Sequence, residues 1–167
     1  MARGAPLAPV PWFGRLGAPL DAGERELAQR YASGLGLEAV SVIEGWREAQ
    51  ALARDPGAGE SWWVREDRER RRLMRETAAR IGEPMLLDAL TGAVEGEAAA
   101  TLERALAAGG DETLARVASG AALMALNNRA LALLAGCGPD HLFVQKYALF
   151  AAGRWPLGSR GTHLKIF

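Results

Sequence analysis

The chain predicts an all-α fold: a compact, irregular bundle of about six or seven helices around a central helix at 112–135, with a small carboxyl-terminal β-hairpin. Three observations carry this. Apolar residues recur at three- and four-residue steps through most of the chain, and cap and glycine signals separate those stretches. The stretch "GAALMALNNRALALLAG", Gly120 to Gly136, is apolar on nearly every side. A helix apolar almost all round sits at the centre of its fold. A length of 167 residues, 49% apolar and 24% charged, suits one domain with its own core. We read an extended Pro/Gly-rich arm over 1–20 and a single helical domain over 21–167.

Pro6, Pro9, Pro11 and Pro19 break the arm into extended pieces and turns. Asp21 caps the first helix, and Glu24 three residues later completes an acidic capping box before a stop at Gly34 or Gly36. Val42, Ile43, Trp46, Ala49 and Ala53 give a helical pattern over 37–54, with Trp46 facing the core and "DPGAG" ending it. "ESWWVREDRERRRLMRETAARIG" is helical in composition and closes at Gly82. Pro84 suits the first turn of the next helix, whose stripe is Leu87, Leu90, Val94, Leu102 and Leu106. Gly92 and Gly96 mean either that a neighbour comes close there or that this helix breaks in two. Asp111 caps the central helix and Gly136 ends it, and a last helix starts at Pro139 and Asp140. In the tail, Leu164 and Ile166 alternate with His163 and Lys165, Gly158 to Gly161 can turn, and Pro156 keeps the first strand at an edge.

Twenty basic residues balance twenty acidic ones, so the molecule as a whole has no field to attract nucleic acid or an anionic membrane. Only Lys146 and Lys165 are lysines; the other basic residues are arginine, which together with the abundant Ala and Gly suggests a GC-rich bacterial genome. A lone cysteine, Cys137, suits a reducing cytoplasm. The prolines near the start interrupt any signal-peptide core, and Arg129 interrupts the best candidate for a membrane span.

Catalytic patterns find little support. "GLGLEA", Gly34 to Ala39, has the letters of a dinucleotide-binding loop, but a helical segment precedes it where that loop needs a strand. With only His141 and His163, metal chemistry has few ligands. Glu44 and Glu48 share a helical face in this reading, a solvated one beside Arg47. Cys137 and His141 fall together at a helix junction without a further catalytic partner.

Three features remain for binding. "REDRERRR", Arg65 to Arg72, holds pairs at i, i+4 spacing (Glu66 with Arg70, Asp67 with Arg71, Arg72 with Glu76), which suit a solvated helix anchored by Trp62 and Trp63. Its surplus arginines, Arg70, Arg71, Arg72 and Arg75, could meet an acidic partner. Pro6 and Pro9 have PxxP spacing, and Trp12 and Phe13 either fold onto the bundle as a lid or dock a partner. The third is Asn127, Asn128 and Arg129 in the central helix. A buried amide without partners costs about 1–3 kcal/mol, so the Asn pair must hold backbone carbonyls near the Gly92–Gly96 bend, a hydroxyl of Tyr31 or Tyr147, or a ligand. Arg129 would reach outward or meet Glu44 or Asp88, and Lys146 and Arg154 would be rim charges around Leu142, Tyr147, Leu149, Phe150 and Trp155.

The expectation is a non-enzymatic bacterial cytoplasmic interaction module of adaptor, chaperone-like or immunity type. Its partner is another protein, without cofactor, metal, nucleic acid or membrane, and self-association is left open. The alternative is a small helical enzyme or binder in which Asn127, Asn128, Arg129, His141 and Lys146 surround an anionic molecule.

Overall fold

Arg154 donates from every N–H of its fully buried guanidinium, and its acceptors span the start of the fold. The computed structural model describes residues 10–55 and 60–167; Pro6 and Pro9 lie outside them. The element order is α1 (Ala22–Gly34), β1 (Ala39–Val42), α2 (Trp46–Ala53), α3 (Glu60–Ile81), α4 (Glu83–Val94), α5 (Glu97–Ala107), α6 (Glu112–Leu134), α7 (Leu142–Ala151), β2 (Pro156–Arg160) and β3 (His163–Ile166). The fold is mostly α, with one small sheet.

Local signals act where expected. Asp21 and Glu24 form the reciprocal capping box of α1, and the Asp111 side chain accepts from the Leu114 amide at the start of α6. The long helix read through Gly96 breaks there. Gly96 has φ +83°, a backbone state that L side chains rarely adopt, and nothing crowds Gly92. The break turns α5 onto a new axis, so the expected single stripe divides: Leu86 and Leu90 are buried while Leu87 and Leu106 are exposed. α7 begins slightly later than expected, at Leu142, with His141 as its cap.

α6 is central. α3, α4, α5 and α7 all pack against it, and Ala115, Ala118, Ala122, Ala125 and Leu131 are buried. Its length and composition would also suffice to cross a membrane; in this fold its buried residues meet the four neighbouring helices, while Val117, Met124 and Leu133 are exposed.

One expected helix is corrected. Residues 39–42 form β1, and the helix begins only at Trp46 after the extended Gly45. Val40, Val42 and Ile43 are β-branched, and β1 pairs in parallel with β3 from Ala39 opposite His163 to Val42 opposite Ile166. A partner more than a hundred residues away thus overrides the helical spacing. Glu44 consequently lies outside α2, so Glu44 and Glu48 share no helical face. The carboxyl-terminal hairpin forms, but its turn is later than expected, at Gly161 and Thr162, with Gly158 to Arg160 inside β2; the order β1-β3-β2 puts Pro156 on an edge strand. "GLGLEA" lies on a helix–turn–strand path, the reverse of the dinucleotide-binding arrangement.

The amino-terminal turn packs onto the bundle. Trp12 meets Tyr147 and Phe150 edge-on, and Phe13 meets Phe150 and Trp155. Gly153 allows this approach: a side chain there would lie 3.0 Å from the Arg15 amide and 3.1 Å from the Pro11 carbonyl. Arg154, read as a rim charge, is the pin. It donates twice to Glu24, at 3.2 and 2.8 Å, to the carbonyls of Arg15 and Pro19 at 2.7 Å, and to that of Ala18. Burial pushes the Glu24 carboxyl up, but hydrogen bonds from Arg154 and the Asp21 amide outweigh it and hold the group below its ordinary value.

Replacing Arg154 by Leu would leave buried Glu24 with only the half-exposed Arg15 at 3.2 Å as a counter-charge and would strand the carbonyls of Arg15, Ala18 and Pro19, an expected loss of about 3–5 kcal/mol. Arg154→Lys should also lose most of that stability, because an ammonium has three donors against five. Urea denaturation followed by circular dichroism measures both; an Arg154→Leu protein as stable as the parent would refute the pin.

Candidate functional site

The helical spacing of α3 sorts its charges onto two faces. Trp62, Glu66, Glu69, Arg70, Leu73 and Thr77 follow one another at helical steps and turn towards α1, α6 and α7. Trp63, Val64, Arg68, Arg71 and Arg75 turn away from them.

Most of the candidate residues from the sequence meet on the inner face. Arg70 Nε donates to Asn128 Oδ1 at 3.0 Å and its Nη2 to Asn127 Oδ1 at 3.4 Å. Asn127 Nδ2 in turn donates to the Leu90 carbonyl at 3.2 Å, six residues before the Gly96 break. The backbone partner was foreseeable; Arg70 was not, because it read as a surplus surface charge. Asn128 itself is only 4% exposed.

Glu66 occupies the next position. It accepts from the Tyr31 hydroxyl at 2.7 Å and from Lys146 Nζ at 2.6 Å, in place of the expected pairing with Arg70. Trp62 Nε1 donates to the same Tyr31 oxygen at 2.7 Å, and the Lys146 ammonium sits 4.4 Å from the Trp62 ring centre. Burial, reinforced by the Glu66 charge, pushes the Tyr31 phenol well above its ordinary value. Lys146 is therefore a buried member of the network where a rim position was expected.

Glu69 completes the inner row. It lies 2.9 Å from His141 Nε2 and pairs with Arg72 at 2.5 Å, and Arg72 also reaches Glu76 at 2.7 Å. His141 Nδ1 accepts from the Phe143 amide, so the ring proton resides on Nε2 and points to Glu69. Hydrogen bonds from Arg72 hold the Glu69 carboxyl at about 2 against its burial, and His141 adds to the effect. Both nitrogens of His141 are occupied, which leaves no base for Cys137, and burial pushes that thiol up.

The other candidates fall elsewhere. Arg129 lies over the Tyr147 ring at 4.6 Å, not against Glu44 or Asp88. Trp12 and Phe13 belong to the core. Arg71 pairs with Asp67 at 2.8 Å on the outer face of α3, beside Val64, Arg68 and Arg75, which with them line a shallow cleft of about 270 Å³. Trp63, expected as an anchor, is 65% exposed, and Trp62 alone is buried. Among the described residues Arg68 and Arg75 have no carboxylate partner; of the four expected surplus arginines Arg70, Arg71 and Arg72 are engaged, Arg75 keeps that standing and Arg68 joins it. No group of three or more His, Cys, Asp or Glu able to hold a metal occurs among the described residues.

Two outcomes test the inner face. Asn128→Leu strands the Arg70 donor and should cost about 1–3 kcal/mol, and Arg70→Met should cost a similar amount. Their double variant should lose at least about 0.5 kcal/mol less than the sum in urea denaturation; strict additivity would mean that the two do not interact. The Glu69 carboxyl is held below its unfolded value, so its contribution is whole above that value and is lost as pH falls towards about 2. The stability gap between the parent and Glu69→Gln should therefore be widest near neutral pH and close progressively on acidification, and a gap independent of pH would refute the pairing.

No protein-family model matches the chain, and comparisons with curated proteins and with solved structures find no match.

Proposed function

We propose that the protein is a non-enzymatic interaction module that binds an acidic protein partner through the outer face of α3. One observation carries the reading: Val64, 51% exposed, lines a cleft with Arg68 and Arg75, which have no carboxylate partner among the described residues, and the adjacent Trp63 is 65% exposed. Exposed Trp and Arg are the residue types that dominate binding energy at protein interfaces. The inner-face polar groups are committed to one another, which favours this reading over a substrate pocket around Asn127 and Asn128. The lone cysteine and the arginine-rich, alanine-rich composition suit a bacterial cytoplasmic setting.

Removing the amino-terminal arm would also remove Trp12 and Phe13 from the core, so α3 offers the cleaner probe. A Trp63→Ala, Arg68→Glu, Arg75→Glu variant should keep the parent's stability to within about 1 kcal/mol, since these side chains are exposed. Affinity capture at low salt with the full chain should then show its acidic partners lost from the variant. Retention of the same partners by the triple variant would overturn the reading.

A further inference from the structure

A groove of about 780 Å³ runs along α1 and the segment leading into α7. Arg25, Gln29, Arg30 and Ser33 line it from α1, with Asp140 and Gln145 across from them. It is separate from both faces of α3. Gln145 is only 6% exposed, yet its side-chain amide makes no hydrogen bond among the described residues. The amide opens into the groove, where it presents an unengaged donor and acceptor to whatever enters.

The charges around it define that partner. Arg25 has only a 3.5 Å contact with the Leu20 carbonyl, and Asp140 has no hydrogen bond or ion pair among the described residues. Arg30 and Gln29 are already engaged, with Glu26 at 3.9 Å and the Glu38 carbonyl at 3.2 Å. α1 and α7 run antiparallel: Arg154 after the end of α7 meets Glu24 near the start of α1, while Lys146 and Tyr31 share Glu66. Arg25 therefore lies towards one end of the groove and Asp140 towards the other, with Gln145 between. From Arg25 to Ser33 the helix advances about 12 Å.

We infer that this groove binds a short peptide with free termini, its carboxylate on Arg25, its ammonium on Asp140 and a central amide against Gln145. A glutamine amide offers one donor face and one acceptor, which another amide answers in full. The guanidinium answers a carboxylate with paired hydrogen bonds. An extended tripeptide spans about 10 Å, comparable with the length of α1 that lines the groove, about 12 Å. Glu26 and Asp140 oppose a multiply anionic ligand such as a phosphate ester, and a groove of this volume suits a ligand of peptide size.

Titration of the ¹⁵N-labelled full chain with trialanine, followed by NMR, tests this. Saturable shifts are expected at the Gln145 side-chain amide and along the facing residues of α1. Trialanine amide, which lacks the carboxylate, should bind about tenfold more weakly, and Arg25→Ala should weaken trialanine to the same degree, equivalent to about 1.4 kcal/mol. Gln145→Leu should weaken both peptides, with Gln145→Met as a second variant should the first fail to fold. The absence of a saturable shift up to about 10 mM trialanine, or binding that neither Arg25→Ala nor carboxylate removal alters, would overturn the inference.

Discussion

The guanidinium of Arg154 is the constraint from which the rest of the arrangement follows. Its five N–H groups have fixed directions, and the structure answers them with one carboxylate and three carbonyls drawn from residues 15–24. Burying that cation is tolerable only if these acceptors are present together, so the amino-terminal turn has one placement. That placement brings Trp12 and Phe13 against Phe150 and Trp155, and it holds Glu24 where the same carboxylate also accepts from the Asp21 amide. Arg154 is two residues before β2, so pinning it also locates the hairpin and, through β3, the distant strand β1.

α3 is fixed by a second set of polar contacts, with a different consequence. Glu66, Glu69 and Arg70 each meet a partner on another helix: Tyr31 and Lys146, then His141, then Asn127 and Asn128. An apolar stripe would tolerate some rotation of the helix about its axis. Three charged groups with dedicated partners do not, since a turn of one residue, about 100°, would strand all of them at once. The sequence of α3 looks like a freely solvated helix, yet these contacts give it a single rotational setting.

How much of this was legible depends on how local the determining interaction is. The caps at Asp21 and Asp111, the stop at Gly82 and the central place of α6 rest on neighbours within one or two turns, and all are present. The short hairpin was readable for the same reason. β1 was not, because its partner is β3, and spacing within 37–54 carries no trace of that pairing. Burial of Asn128 was readable from its apolar surroundings, but its partner was not, since Arg70 is one arginine among many in a charged run. The signal was nevertheless present: Trp62, Glu66, Glu69, Arg70, Leu73 and Thr77 keep helical spacing through that run, as an inward face does.

The same sorting determines what α3 can offer to another molecule. A guanidinium whose donors are already engaged cannot turn to an outside anion without leaving its internal acceptor unpaired, and Arg70 and Arg72 are held in that way. An acidic partner must therefore be met by Arg68 and Arg75, which give up no internal contact in binding. These two share a cleft with Val64, and Trp63 is exposed next to it, so charge and apolar area lie close together where reorganisation is least. A chain with no net charge can in this way present a local positive surface, because Glu66 and Glu69 are turned inward to hold the helix while Asp67 answers only Arg71 on the outer face.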